Sequence, residues 1–369
     1  MSSYSIDPDI TRARTLPGKA YCDPEFFGRQ RERLFSRSWQ FLPWVDETVD
    51  ETVDQPADTD QVANVFPLTL LPGLLDEPLL LARQEQGWQL LANVCTHRGA
   101  LLLEKPARCR TLRCPYHGRS FGLDGRMLAM PAFEAAKDFP GPADHLPRLP
   151  LERFGPFAFT ALDPAGAFAD WIRPLSEGFA WVPWQDFRFA PELTRDYDLA
   201  ANWALYVDNY LEGLHIPYIH PALNQALDFK AYQIRVLDAG VLQVGLAAEG
   251  EACFALPADH RDQGLRIAAY YLWLFPNLMF NLYPWGLSLN LVEPQALDRT
   301  RVRYFSWIWD EKLLNTGAGA DTHTTEHEDH GVILKVQQGV RSRLYDRGRY
   351  SPSMEQGVHC FHQLLTAWS

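Results

Sequence analysis

Cysteine is scarce in this chain: six residues, Cys22, Cys95, Cys109, Cys114, Cys253 and Cys360, are scattered over 369 positions. Thiols so few and so irregularly spaced exclude a disulfide scaffold, and a chain of this length buries a sizeable core without one. No secretory apolar run follows Met1, so the expected compartment is a reducing cytoplasm. Clustered lysine and arginine are missing as well. With a formal charge of −12 and no basic stretch to neutralise phosphates, a nucleic-acid groove is excluded. Internal repeats and low-complexity tracts are absent. Residues 267–292 run for 26 positions without a charge, long enough for a membrane span. Pro276 and Pro284 would break such a helix twice, however, and Leu287 to Leu291 alternates with period two, so the stretch reads as buried strands and no membrane is expected.

What the chain does have is apolar and aromatic mass, 47% hydrophobic residues with twelve tryptophans, in a length that suits two domains. Apolar residues between Asp23 and Phe41 fall among charges behind a cap-forming Asp and Pro24, which predicts an entry helix within a helical segment 1–39. Acidic Asp46 to Asp60 reads as loop. Two short apolar runs between Leu79 and Val94, split by Gln84-Glu85-Gln86-Gly87, predict a hairpin, and Gly and Pro punctuate similar runs as far as Pro164. A small β-domain is therefore placed at 40–160. A second domain, 161–369, opens with a helix over Leu199 to Glu212, continues in strands between Ala231 and Trp309, and closes with a helix from Thr324 to Asp346.

Chemistry enters with two short motifs, Cys95-Thr96-His97 and Cys114-Pro115-Tyr116-His117, separated by sixteen residues. Each puts one thiolate and one imidazole on a tight turn. That is the ligand set of a Rieske [2Fe–2S] centre, in which two Cys hold one iron and two His the other. Gly99 and Gly118 allow the backbone to approach the sulfides, and Pro115 stiffens the second loop. A Cys₂His₂ zinc site is the rival, but zinc pairs are usually spaced two to four apart with the His pair on one helix, which C-x-H fits poorly. Cys109, inside the intervening loop, reads as a small buried hydrophobe.

The stretches Asn93-Val94-Cys95-Thr96-His97-Arg98-Gly99 and Cys114-Pro115-Tyr116-His117-Gly118 resemble those of the Rieske non-haem iron oxygenases, in particular their catalytic α-subunits. Many relatives carry Trp where this chain has Arg119, a departure that makes the local surface the uncertain part of the match.

A cluster alone would make an electron carrier, so a site where electrons are used is needed. His215 and His220 lie five apart, which on an ideal helix points them roughly 140° apart. Pro217 is expected to end the helix before it and let His220 swing back, so that the two converge. A 2-His-1-carboxylate site leaves coordination positions open for oxygen and suits Fe(II), and Asp321, Glu326, Glu328 and Asp329 compete for the third place. On the closing helix Val332, Ile333, Val336, Val340 and Leu344 define an apolar face with Asp329 on its centre line, Glu326 at its edge and Glu328 pointing away; Asp329 is the expected ligand, with Glu326 in reserve.

The resemblance supports the same set, since an acid three residues before the first His, a second His five later and a late carboxylate recur in this family at the places of Glu212, His215, His220 and Asp329. It implies that Glu212 bridges to a Rieske His of a neighbouring subunit in a head-to-tail trimer, and it matches Asp208 and Asn209 to an acidic–amide pair near the iron. Ala204 and Leu214 replace a frequent Lys and an aromatic. By the same resemblance the fold is α+β, an N-terminal all-β Rieske domain followed by a helix-grip catalytic domain of antiparallel sheet and helices. The implied cofactors are the cluster and mononuclear Fe(II). The implied role is a terminal oxygenase that uses O2 and NAD(P)H-derived electrons to hydroxylate or demethylate a small organic substrate. Gly317-Ala318-Gly319-Ala320 lacks a third Gly and reads as a flexible loop rather than a nucleotide site, so a separate reductase, directly or through a ferredoxin, must supply the electrons. The likeness extends from the Trp39 region to Gln338–Ser342 and Glu355–His359 and lies nearest the choline-monooxygenase-like branch, which points to amines. Trp273, Phe275, Phe280, Tyr283 and Trp285 are candidate walls of a cage for a quaternary ammonium, though an arene would suit the same walls. The readings that compete are a Rieske electron-transfer protein without oxygenation chemistry and a zinc-stabilised binding module.

Overall fold

The computed structural model describes residues 4–43 and 63–369; the loop expected over Asp46 to Asp60 lies outside them. The chain divides into two compact units, one of residues 40–162 and the other of residues 1–39 together with 163–369.

The N-terminal segment is thus built into the second unit rather than standing apart. Helix α1 (Pro24–Arg29) is capped by Asp23, whose carboxylate accepts from the Glu25 and Phe26 N–H groups, and runs on as a π-turn over Gln30–Phe35. It ends there, short of Phe41. Its buried face explains the placement: Gln30 Oε1 accepts from the Trp203 indole at 2.9 Å, and Phe35 packs edge-on to the same ring.

The 40–162 unit is all β. A three-stranded sheet joins β1 (Gln40–Leu42) to Glu152–Phe154 and Phe157–Thr160, and β2 (Val65–Leu70), β3 (Glu77–Gln84) and β4 (Gly87–Ala92) form a meander. The β3–β4 hairpin turns through Glu85-Gln86, as expected, with Gln84 opposite Gly87 and Gly87 at φ 119°. A second small sheet holds β5 (Thr111–Arg113), β6 (Ser120–Gly122) and β7 (Met127–Ala129); β8 (Arg148–Leu149), β9 (Glu152–Phe154) and β10 (Phe157–Thr160) close the unit. Cys109 packs against the core beneath these sheets, and burial pushes its thiol up.

In the second unit α2 (Phe168–Gly178) leads to an eight-stranded antiparallel sheet of β11 (Arg188–Phe189), β12 (Arg195–Leu199), β13 (Gln233–Leu237), β14 (Gly240–Leu246), β15 (Ile267–Leu274), β16 (Leu278–Tyr283), β17 (Gly286–Ala296) and β18 (Arg299–Ile308). Residues 267–292 are strands in this sheet, and among the described residues no helix is long and apolar enough to cross a membrane. Between β12 and β13 come α3 (Trp203–Tyr210), α4 (Ile216–Ile219) and α5 (Pro221–Ala226); after β18 come α6 (Thr322–Gly339) and α7 (Gln356–Trp368). Asn202 caps α3 and also ties it to the Tyr21 and Leu297 carbonyls, while its own N–H donates to Gln337 of α6.

Two expectations need correction here. The closing helix stops at Gly339, so Leu344 lies beyond it and is 99% exposed; Val336 is exposed as well, and the buried line on α6 runs through Glu326, Ile333 and Gln337. Gly317-Ala318-Gly319 is a packed 3₁₀ turn rather than a flexible loop, because a Cβ on Gly319 would stand 2.5 Å from the Trp285 indole nitrogen.

Candidate metal centres

In the β unit the two Cys–His motifs fold alike. Gly99 N–H donates to the Cys95 carbonyl and Gly118 N–H to the Cys114 carbonyl, so each motif is a single i to i+4 turn. Both turns close on a glycine in the left-handed region, φ 70° and 75°, a conformation that only Gly adopts without cost. The turns face each other with thiols inward and imidazoles outward: Cys95 and Cys114 are buried, His117 is exposed, and the His97 and His117 ring centres stand 4.9 Å apart.

The donors fit a cluster. Burial raises the Cys95 thiol; for Cys114 burial is outweighed by the Tyr116 and His117 N–H groups, with Arg119 adding to them, and its thiol is lowered. Nδ1 of His97 is a buried nitrogen with no hydrogen-bond partner, an open lone pair of the kind a metal fills. Arg119 does not alter the surface, because it is only 2% exposed: its guanidinium donates to Thr96 Oγ1 at 2.8 Å and to Asp144 at 2.7 Å.

The second centre is built at the end of α3. Here the expected chain break is displaced. Pro217 does not end a helix; it sits in the first turn of α4, where its missing N–H costs nothing. The break that turns His220 precedes Pro221, which opens α5 and holds His220 out of the helical region at φ −115°, ψ 76°. His215, at the start of α4, and His220, at its end, then face one another with ring centres 5.0 Å apart.

Asp329 of α6 closes the group. Its Oδ1 lies 3.0 Å from His220 Nε2 and 3.5 Å from His215 Nε2, and one ligand atom from each of the three residues falls within 4.8 Å of the others. Asn209 Nδ2 donates to the same oxygen at 2.7 Å. The opposite ring nitrogens are also held: His215 Nδ1 is 2.6 Å from Glu212 and His220 Nδ1 is 2.7 Å from Glu328. Each imidazole therefore turns Nε2 inward with a carboxylate behind it, the arrangement that orients metal-binding histidines. Burial works against a charged His220, but the hydrogen bonds and charges of Asp329 and Glu328 outweigh it and raise its pKa.

The remaining carboxylates sort differently from expectation. Glu328, read as pointing away, reaches His220. Glu326 is buried and engaged elsewhere, by the Tyr206 and Tyr304 hydroxyls and by His330 at 2.6 Å. Asp321 caps α6 through Thr324. Asp208, one residue and so about 100° around α3 from Asn209, faces away from the triad. It accepts from Tyr21 at 2.6 Å and pairs with His362 at 2.8 Å.

Above the triad lies a cavity of about 90 Å³. Six tyrosines line it, Tyr206, Tyr210, Tyr232, Tyr271, Tyr283 and Tyr304, together with amides of Gln243, Asn281 and Asn290. Burial pushes all six phenols above their usual range, so they stay neutral. Of the five aromatics expected to form the walls only Tyr283 does so. Trp273 and Phe280 are wholly buried in the sheet, Phe275 packs on Trp273, and Trp285 stacks behind Tyr283. Part of the polar lining was visible as Gln243, Tyr271 and Asn281 interrupting otherwise apolar strands.

The two units and the two centres define a terminal oxygenase of the Rieske non-haem iron type. Residues 60–140 match the Rieske [2Fe-2S] domain and residues 188–369 the catalytic domain of the ring hydroxylating alpha subunit; the chain belongs to the Rieske oxygenase α-subunits. Members of this class carry a [2Fe–2S] cluster and a mononuclear iron and take electrons from a reductase, so the chain is an oxidoreductase and not a lone electron carrier. The chain is 27% identical to choline monooxygenase of Arabidopsis thaliana over 98% of its own length and 84% of that protein's. It is 26% identical to the carnitine monooxygenase oxygenase subunit of Escherichia coli K12 over 96% and 93%. Among solved structures it is similar to the quaternary ammonium Rieske monooxygenase CntA (TM-score 0.76, 22% identity, 100% of this chain and 99% of that one). The fold is shared with naphthalene 1,2-dioxygenase from Rhodococcus sp. (TM-score 0.69, 17% identity, 96% and 93%).

The left-handed glycines give a direct check. No atom stands within 4 Å of a Cβ on Gly99, so Gly99→Ala meets only the backbone penalty and should destabilise the protein by about 1–2 kcal/mol, read from the urea midpoint.

Proposed function

We propose that this α-subunit oxidises a small quaternary or N-methylated amine. The observation that carries the reading is the cavity wall: tyrosine rings and neutral amides surround it, carboxylates stand at its base, and among the described residues no lysine or arginine lines it. Aromatic faces attract a desolvated ammonium, and the anionic base adds to that attraction. A bare arene carries no charge and would gain nothing from that anionic base. Similarity to proteins named for choline and carnitine oxidation supports the same choice.

Cys95, His97, Cys114 and His117 would hold the cluster, and His215, His220 and Asp329 the Fe(II), which when bound supplies the activation of O2. Glu212 and Glu328 fix the two imidazoles through Nδ1, and Asn209 fixes the Asp329 oxygen that both rings approach. The tyrosine wall keeps bulk water from the reacting carbon and orients the substrate. Glu212 is given a second role, the bridge to a neighbouring copy's cluster loop in a head-to-tail trimer: besides holding His215 it lines a second cavity, together with Asp208, Val332, Glu355 and His362. That relation of subunits resembles the inter-subunit electron transfer for which a solved relative is named.

Substrate-dependent O2 uptake, driven by a surrogate reductase, should rise with choline-like and N-methyl amines and stay at background with unsubstituted arenes; the reverse ranking refutes the amine reading. His220→Ala should abolish turnover, lower the iron content from about three to about two per chain, and leave the Rieske EPR signal. Hydroxylation persisting in that variant would remove His220 from the iron site. With Glu212→Gln both metals should remain while single-turnover electron transfer falls by at least tenfold; unchanged transfer would count against the bridge.

A further inference from the structure

Arg119 follows the second ligand loop directly, and its side chain, 2% exposed, is engaged inside the domain. Its backbone carbonyl accepts from Cys114 N–H at 2.7 Å and so closes the second ligand loop. Its side chain crosses to the first loop, where it donates to the hydroxyl of Thr96, the residue between Cys95 and His97. The Thr96 hydroxyl in turn donates to the Asp144 backbone carbonyl at 2.8 Å, and the Asp144 carboxylate accepts from the other arm of the guanidinium. The group also lies over the Phe139 ring at 5.3 Å.

The burial is unequal. The Arg119 side chain is 2% exposed and that of Asp144 24%, so water screens the anion more than the cation. Nε of Arg119 has no hydrogen-bond partner, so the guanidinium is held by its two terminal nitrogens alone.

We propose that Arg119 is a positioning residue for the cluster: it ties the two ligand loops to each other, and its buried charge raises the reduction potential of the group they hold, with Asp144 opposing that effect. Reduction adds an electron to the cluster, so a nearby positive charge favours the reduced form. This rests on the Rieske reading of the two loops.

The test is the midpoint potential of the cluster in the intact holoprotein, followed by EPR during a redox titration, for the wild type, Arg119→Gln, Arg119→Lys and Asp144→Asn. Arg119→Gln should shift the oxidised-to-reduced ratio at fixed potential at least tenfold towards oxidised, which is 59 mV for a one-electron couple. Asp144→Asn, which leaves the guanidinium without its counter-charge, should shift it the opposite way, and Arg119→Lys should recover most of the wild-type value. A role in packing alone moves neither potential, or moves both in the same direction, and either result overturns the proposal. If Arg119→Gln fails to assemble a cluster, Asp144→Asn still decides, since its potential must rise. A wild type with no Rieske EPR signal would instead strike at the reading of the loops.

Discussion

The catalytic unit depends on a pair of hydrogen bonds behind the metal-facing atoms. Glu212 takes His215 by Nδ1 and Glu328 takes His220 in the same way, and only with both rings so held do the two Nε2 atoms meet at Asp329. An imidazole on a helix end rotates about two side-chain bonds, and burial alone does not select the orientation. The carboxylates select it. Glu212 comes from the turn before His215, three residues earlier, and Glu328 reaches His220 from α6, where it stands beside Asp329, so the site is assembled from one broken helical segment and one turn of α6. The sheet behind provides the rigid surface, and the Asn202 cap, which joins α3 to α6 through Gln337, keeps the two sources in register.

That assembly explains which parts of the site were legible beforehand. Ligands inside short motifs were readable because the spacing of Cys95-Thr96-His97 or of His215 and His220 is set by local turns, and local turns are written in neighbouring residues such as Gly99, Gly118 and the prolines. The wrong proline was credited, however. Pro217 and Pro221 both lie near His220, and periodicity cannot tell a proline that opens a helix from one that forbids the preceding residue from joining it; only the backbone angles of His220 distinguish them. Asp329 was found by an argument whose premise fails in part, since Val336 is exposed and Leu344 is not in the helix, while Ile333 and Val340 do lie on the buried side. Glu328 was missed because a long side chain reaches around the helix by an angle no helical wheel represents.

The pocket was less legible still, for a reason that belongs to sheets. Among aromatics on adjacent strands, which ones face the cavity depends on register and on which face α3 and α6 cover. Tyr271 pairs with Asn281, and Asn290 with Tyr304, so the polar residues of four strands form rows on one side. Trp273 lies on the same face as Tyr271, two residues along, yet is covered by α7 through Phe361 instead of opening to the cavity. Chemical type pointed to an aromatic wall, but of the five residues named for it only Tyr283 lines the cavity.

The two centres also differ in the sign of their surroundings. Glu212, Glu328 and Asp329 crowd the histidine pair, an environment that favours a divalent cation and, beside it, a cationic substrate. Around the thiol–imidazole loops the buried charge is instead a guanidinium, held in a lattice of Thr96, Asp144 and Phe139. Burying an arginine carries a desolvation cost that an aromatic side chain would avoid, and its ion pair with Asp144 offsets that cost only in part. A guanidinium buried on those terms is better explained by the field it exerts than by the packing it provides. At this position the guanidinium thus fills space and adds a charge beside the redox group.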